Sequence, residues 1–338
     1  MKRKKSIINL GHGSGGKLTK ELLDEFIFSI LENPYLNQKH DGAVFEIKGK
    51  MAFSTDSFVI NPIFFKGGDI GSLAVHGTVN DLAMCGAKPR YLSLSFIIEE
   101  GFALDDLKKI IESIKAAALE SDVQIVTGDT KVVEKGKGDQ IFINTSGVGE
   151  LYSKARISSD RIEVGDKIIV SGNIGSHGMA IMSDREGLEF ETDLISDSTN
   201  LNHTVEALLN EFGEDIHLFR DPTRGGVSSV LTEIAEEIKK GIVLLEKEIP
   251  ILKQVSAACE LLGLDPLYVA NEGVFVSIVK ADIASRFLEK LQEMDKGKMA
   301  RCIGEITNEH PQKIILQSMI GGRRVISPLI GEQLPRIC

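Results

Sequence analysis

Four aspartates recur in turn-like settings. They are Asp41 in His40-Asp41-Gly42-Ala43, Asp56 in Ser54-Thr55-Asp56-Ser57, Asp81 in Asn80-Asp81-Leu82-Ala83 and Asp129 in Thr127-Gly128-Asp129-Thr130. Carboxylates brought together from separate elements suit Mg²⁺, which keeps several waters and bridges to phosphate oxygens, so the set could hold Mg²⁺ on a triphosphate. Taken singly, Asp41, Asp56 and Asp129 read better as turn residues or helix caps. Asp81 resists that reading. It interrupts an apolar-periodic helix, where a carboxylate is costly unless it faces water or a ligand. Lys131 follows Asp129 by two residues. It is a phosphate contact, a base if desolvated or, from spacing alone, an ordinary solvated lysine.

Two glycine-rich segments could wrap an anion with backbone N–H groups. In Gly11-His12-Gly13-Ser14-Gly15-Gly16-Lys17, ahead of a helical pattern at Leu18 to Ile30, the spacing to Lys17 and the Leu after it exclude a Walker A loop. A flexible N-terminal arm is an equal reading. Arg220-Asp221-Pro222-Thr223-Arg224-Gly225-Gly226 opens a helix. Gly225 at its N-terminus suits phosphate and Arg224 adds charge, although a plain loop and helix start fits as well. Glu272, in Asn271-Glu272-Gly273 before a strand, is either a turn carboxylate or a base. Of the four cysteines, Cys85, Cys259 and Cys302 sit among apolar neighbours and read as buried, inert thiols. None forms a CxxC pair, and Cys338 stands apart as the last residue.

The elements that must position these residues fall into two α/β halves and a tail. Met51 to Thr55 reads as a strand entering the Asp56 turn. Ile70 to Met84 has helical spacing, Leu104 to Leu119 is a clearer amphipathic helix, and Val123 to Val126 and Ile141 to Val148 read as strands. A second domain begins between Gly149 and Val164. Its pattern alternates: strands over 167–171, 216–219, 242–245, 274–279 and 299–306, and helices over 201–212, 226–240, 255–262 and 281–294. That favours a layered α/β or α+β domain. The tail 331–338 has no period and little apolar content, and reads as a mobile arm.

Composition narrows the function. The 338 residues allow two domains, and 42% apolar content is ample for packed cores. A net charge of −10 argues against a nucleic-acid binder, and Lys2 to Lys5 reads as a frayed basic end. No apolar run reaches signal-peptide or membrane-span length, so the expected location is cytoplasmic.

Together these segments resemble the superfamily of aminoimidazole ribonucleotide synthetase, thiamine monophosphate kinase and selenophosphate synthetase. Within it they most resemble the HypE family of hydrogenase maturation factors, the carbamoyl dehydratases. The resemblance rests on His-Gly-Ser-Gly-Gly at 12–16, Phe-Ser-Thr-Asp-Ser at 53–57, Lys-Gly-Gly-Asp-Ile-Gly at 66–71 and Gly-Thr-Val-Asn-Asp-Leu-Ala at 77–83. Val-Thr-Gly-Asp-Thr-Lys-Val-Val at 126–133, Arg-Asp-Pro-Thr-Arg-Gly-Gly-Val at 220–227, Asn-Glu-Gly at 271–273 and Pro-Arg-Ile-Cys at 335–338 complete it. Lys66 departs from the pattern, which has a proline there.

The resemblance implies a two-domain α/β (α+β) architecture: an N-terminal ATP-binding, dimerising domain over 1–152, a C-terminal α/β domain over 153–330 and a mobile tail over 331–338. It implies a homodimer that binds ATP and Mg²⁺ through Asp41, Asp56, Asp81 and Asp129, with Asn80, Gly128, Arg224 and Gly225 near the phosphates. Lys131 and Glu272 are the implied proton-transfer or amide-orienting groups. A HypF-type partner places a carbamoyl group on Cys338. The thiocarboxamide is then dehydrated to a thiocyanate with ATP, and cyanide passes to iron on a HypC–HypD complex. Arg336 is expected to steer the tail and ease ionisation of Cys338. The rival readings are a sister enzyme such as selenophosphate synthetase, which places its reactive residue in the N-terminal arm where Ser14 stands here, and a non-catalytic thiol carrier with a regulatory ATP site.

Overall fold

The structure, a computed structural model, describes residues 7–14, 17–38, 42–187, 194–328, 334 and 336–338. Asp41 lies outside the described residues, as do Gly15 and Gly16 of the N-terminal arm.

The first domain starts with a short helix, α1 (Lys17–Leu22), continued by a wider π-helical turn at Leu23–Phe28. A four-stranded sheet follows, built from β1 (Met51–Phe58), β4 (Ala87–Glu99), β5 (Gln124–Val133) and β6 (Ile141–Leu151) in the order β1-β6-β4-β5. Only β4 and β5 run parallel. The small ribbon β2 (Phe64–Phe65) and β3 (Gly68–Asp69) leads into α2 (Ile70–Met84). Asp69 caps that helix, accepting from the N–H groups of Gly71 and Ser72, and Ser113 of α3 (Leu104–Glu120) donates to the same carboxylate at 2.7 Å. α2 lies over one face of the sheet, and only Ser72 and Asp81 of its residues escape burial. The opposite face of the sheet is open. Phe53 is 68% exposed there and Ile97, further along on β4, is 45% exposed, and between them runs a polar ladder in which Asn144 donates to Ser57 Oγ and Ser146 Oγ donates to Thr55 Oγ1.

The second domain contains β7 (Lys167–Val170), α4 (Ser176–Glu186), α5 (Asn202–Phe212), β8 (Ile216–Arg220), α6 (Gly226–Ile238), β9 (Gly241–Leu245), α7 (Lys253–Leu262), β10 (Val276–Val279), α8 (Ala284–Gln292), β11 (Arg301–Thr307), β12 (Ile314–Gln317) and β13 (Arg323–Ile326). Its strands form one seven-stranded sheet, β13-β12-β9-β11-β7-β10-β8, parallel only between β12 and β9. One core fills the face under α6 and another the face under α5 and α8. The latter extends to Ala83 and Met84 of α2, so the two domains share packed apolar surface. Among the described residues no helix is long and apolar enough to cross a membrane.

Several elements depart from the sequence expectation. β4, the long central strand of the first sheet, contains Pro89. The register slips between Pro89 and Tyr91, a bulge at which the missing N–H is tolerated. α4 opens after Gly175 in the left-handed conformation and contains Gly178, so its local propensity is poor. Packing supports it instead: a Cβ at Gly178 would lie 2.5 Å from Val269 Cγ1. The strands β12 and β13 were likewise not apparent from pattern.

Candidate active site

The site forms where the exit of β1, the C-terminal half of α2 and two loops of the second domain meet. Asp56 stands near the end of β1. A Cβ at Gly77 on α2 would lie 2.9 Å from Phe58 Cζ and 3.9 Å from an Asp56 carboxylate oxygen, so the helix closes on the strand only because Gly77 has no side chain. One turn further along α2, Asp81 accepts from Ser54 Oγ at 2.6 Å. The Ser54 bond offsets part of the cost of a carboxylate in an apolar helix, and the neighbouring acid adds to that cost. Burial raises the pKa of Asp81, and the nearby Asp56 raises it further, against the Ser54 bond and Arg220. Asp221, one residue beyond β8, joins them. Its carboxyl is raised by burial and then by Asp81. Sequence reasoning passed over Asp221, although it lies inside the Arg-Asp-Pro-Thr-Arg-Gly-Gly segment.

Glu272 completes the acidic group. It is 4% exposed, and its Oε1 has no hydrogen-bond partner. Its pKa stands well above the usual carboxylate range, through burial first and then through Asp221, Asp197, Asp56 and Asp81. Two asparagines hold it in place. Asn271 accepts from Gly175 N–H at 2.6 Å and donates to Pro222 O at 2.9 Å, which fastens the 269–273 segment to the turn that opens α4 and to the loop that precedes α6. Asn80 donates to Thr199 O and Glu272 O and accepts from Leu201 N–H, so its buried amide is engaged in joining the domains. Gly225 caps α6 at φ 73°, and the exposed Arg224 before it acts on both Asp56 and Cys338.

The tail ends here, and it is docked where a mobile arm was expected. Ile337 is 3% exposed in the first-domain core, an apolar anchor that a view of the tail as merely polar overlooks. Val59 N–H donates to the main-chain oxygen of Cys338 at 3.1 Å and Asn61 N–H to Arg336 O at 3.3 Å, so the tail runs antiparallel to 59–61. His177 of α4 bonds to Ile337 O at 2.7 Å, and Arg185 donates to Arg336 O. The Cys338 thiol is pushed up to about 12, by burial and then by Glu272, with Arg224 opposing. Docked, it is a neutral thiol. The expected easing of its ionisation by Arg336 is not what the geometry gives. Arg336 pairs with Asp139 and donates to Val59 O.

Asp129 and Lys131 lie elsewhere. They pair with each other at 2.8 Å on β5, both largely exposed. Ser57, Asn144, Ser95 and Asp129 occupy one row across the sheet, so Asp129 is three strands from β1, roughly 14 Å at ordinary strand spacing. The expected aspartate set is therefore split within one chain. Gly128 is required by the sheet itself, since a Cβ there would meet Leu94 O at 2.0 Å. Beside this edge a cavity of about 240 Å³ runs under the N-terminal helical segment, lined by apolar Leu23, Ile27 and Phe96 and opening at Asp129 and Lys131. Gly13 of the glycine-rich arm packs on Val132 at its rim.

Cys259 is buried, as expected, and Cys302 half-buried, but Cys85 is exposed at the end of α2. Among the described residues no three His, Cys, Asp or Glu side chains converge to cage a metal on their own.

A family model, AIR synthase related protein, N-terminal domain, matches residues 39–151, and its C-terminal counterpart matches residues 163–317. The carbamoyl dehydratase HypE of Bradyrhizobium diazoefficiens is 49% identical over 332 residues, 98% of this chain and 96% of that one. The crystal structure of hydrogenase maturation protein HypE in complex with ATP superposes with a TM-score of 0.94 at 45% identity, covering 97% of this chain and 99% of the other. The structure of a HypE–HypF complex aligns with a TM-score of 0.81 at 45% identity, covering 93% and 100%. The chain belongs to the HypE family of hydrogenase maturation proteins, within the AIR synthase-related proteins.

Proposed function

We propose that the protein is an ATP-dependent carbamoyl dehydratase that converts a carboxamide on the sulfur of its own Cys338 to a thiocyanate. The observation that carries this reading is the docking of the tail along Val59 and Asn61, which buries the Cys338 thiol where the charges of Glu272, Arg224 and Asp56 act on it. The carbamoyl dehydratase names of relatives across the whole chain length support it.

The chemistry needs the amide oxygen to become a leaving group. Transfer of the γ-phosphoryl group of ATP to that oxygen, with loss of one N–H proton, gives an O-phosphorylated thioimidate. Loss of the second N–H proton and of phosphate leaves S–C≡N. Glu272 is assigned the first proton, since a carboxyl raised by burial is a strong base once ionised. A tethered substrate supplies high effective concentration, and the buried seat excludes water. Bound Mg²⁺ would offset phosphate charge. Asp56, Asp81 and Asp221 are the hard-oxygen donors here, and their mutual repulsion fits a cation that takes one or two carboxylates and completes its shell with phosphate and water. Arg224 and the α6 N-terminus are assigned to phosphate, Asn80 to positioning Glu272.

We assign Asp129 and Lys131 to the same reaction through a homodimer. The open face of the first sheet, with Phe53 exposed, is the surface a second copy would cover, and both residues stand at its edge. The cavity beside them has the apolar lining an adenine ring needs. A neutral, buried thiol is a poor nucleophile, so loading by a HypF-type partner and delivery to a HypC–HypD complex require the tail to leave its seat. A cytoplasmic location accords with this chemistry. Mass spectrometry of the carbamoylated chain tests the reading: with Mg-ATP the terminal peptide should lose one water. Loss without ATP, or on another cysteine, would refute it.

A further inference from the structure

We propose that His177 is a positioning residue for Cys338: its imidazole holds the carbonyl of Ile337, the peptide next to the thiol, and thereby fixes where the sulfur sits. The inference rests on the dehydratase reading only for the use it gives that position.

The hydrogen bonds around the ring have one consistent direction. Ile337 O can only accept, so Nε2 of His177 carries the proton. Nδ1 of the neutral ring must then accept, and its partner at 2.8 Å is Ser196 Oγ–H. That hydroxyl in turn accepts from Ser198 N–H at 3.1 Å. The chain Ser198 N–H, Ser196 O–H, His177 N–H, Ile337 C=O thus runs from the interdomain segment to the tail and leaves no choice of tautomer. The ring is fully buried and faces the edge or face of Phe65 at 5.7 Å, so it has no room to turn away. Burial lowers its pKa to about 4, which keeps it a neutral donor across the physiological range.

The neighbourhood is shaped for the tail. Next along α4, Gly178 leaves space that Leu334 occupies: a Cβ there would lie 3.1 Å from Leu334 Cδ1. Two turns on, Arg185 donates to the oxygens of both Asn61 and Arg336. α4 therefore grips tail main chain, while β1's extension at Val59 and Asn61 grips it from the other side. Of the α4 side chains in this clamp, His177 holds the carbonyl nearer the thiol, that of Ile337, and Arg185 the one before it.

The test uses the full chain without ATP or a carbamoyl group, so it stands whether or not the dehydratase reading survives. Iodoacetamide labelling is mapped by mass spectrometry, with exposed Cys85 as internal standard. In wild type Cys338 should label slowly. In His177→Ala it should label about tenfold faster, the factor one lost hydrogen bond supplies, with Cys85 unchanged. His177→Gln, whose amide can donate to Ile337 O, should recover most of the protection. The melting-temperature loss caused by His177→Ala should also shrink when residues 336–338 are deleted. An unchanged Cys338 rate, or an equal loss with and without the tail, would show that the imidazole only supports α4 and overturn the proposal. Should His177→Ala fail to fold, Ser196→Ala must raise the Cys338 rate in the same direction, and no rise there overturns it equally.

Discussion

Val59 donates its N–H to the main-chain oxygen of Cys338 at 3.1 Å, three residues after Asp56 and just past the end of β1. The segment that carries a candidate metal carboxylate also sets the register of the candidate substrate. Tail seating and the acidic group are thus coupled through rigid backbone, and the predictions below separate their contributions.

Asp81→Asn should lower Mg²⁺-dependent ATP turnover at least tenfold and leave the fold intact. The amide oxygen can still accept from Ser54, and the change removes one member of a repelling acid group, so melting temperature should hold or rise slightly. Turnover equal to wild type across a Mg²⁺ titration would remove Asp81 from the phosphate site.

Glu272→Gln should reduce thiocyanate formation by about 10²–10⁴-fold, the usual range for loss of a general base. A neutral amide replaces a carboxyl whose ionisation burial opposes, so stability should not fall. Measured thiocyanate yield on carbamoylated protein decides it, with melting temperature as the control for folding.

How far the sequence could anticipate this site depends on the kind of signal each part carries. Asp81 was legible because a carboxylate inside an apolar helix violates a pattern, and violations are visible in one sequence. Asp221 violates nothing, since an Asp before a Pro in a loop is ordinary. Its importance comes from β8 delivering it to α2, a non-local event. The separation of Asp129 from Asp56 depends on the strand order β1-β6-β4-β5, which no local period encodes. β4 was obscured by Pro89 and α4 by its glycines, two cases where tertiary packing overrides propensity. The docking of the tail was not legible because two aliphatic residues among eight, Leu334 and Ile337, weigh little in composition, yet Ile337 finds a buried seat. The helices α3, α5 and α6 were legible because their buried stripes repeat over three or more turns, and α2 because its run of apolar and small residues is too long for a strand.

Phe53→Glu should convert a dimer to a monomer. The residue sits on the open face of the first sheet, its side chain on the side of β1 opposite those of Ser54 and Asp56, so the isolated subunit should keep its melting transition. Sedimentation velocity checks it. A wild-type monomer, or a variant that stays dimeric, would leave Asp129 and Lys131 without a route to the acidic group.

Docking of the tail should weaken as pH rises. The docked thiol resists ionisation up to about 12, whereas a released cysteine ionises near about 8.5. Between those values the released form loses its proton first, so docking is fully favoured below about pH 8.5 and declines above it. Difference titration at 240 nm between wild type and Cys338→Ser should give a midpoint clearly above 8.5 for Cys338. A midpoint at the ordinary value would mean that the thiol is not seated in solution.

Cys338→Ala and Ile337→Ala should fail in different ways. Cys338→Ala removes the sulfur and keeps the anchor, so carbamoyl loading and thiocyanate formation should vanish while melting temperature barely moves. Ile337→Ala keeps the sulfur and removes the anchor. A core Ile→Ala change costs about 2–5 kcal/mol, but a chain end can detach instead of bearing that loss, so the global cost is capped at the free energy of docking. Loading by the partner should therefore be retained or faster in Ile337→Ala, because the thiol spends more time outside, while dehydration slows by the fraction of time the tail is seated. The difference titration should move with it, the Cys338 midpoint falling toward about 8.5. Equal loss of loading and dehydration in Ile337→Ala would mean that Ile337 serves the partner's recognition of the tail rather than its seat in this chain.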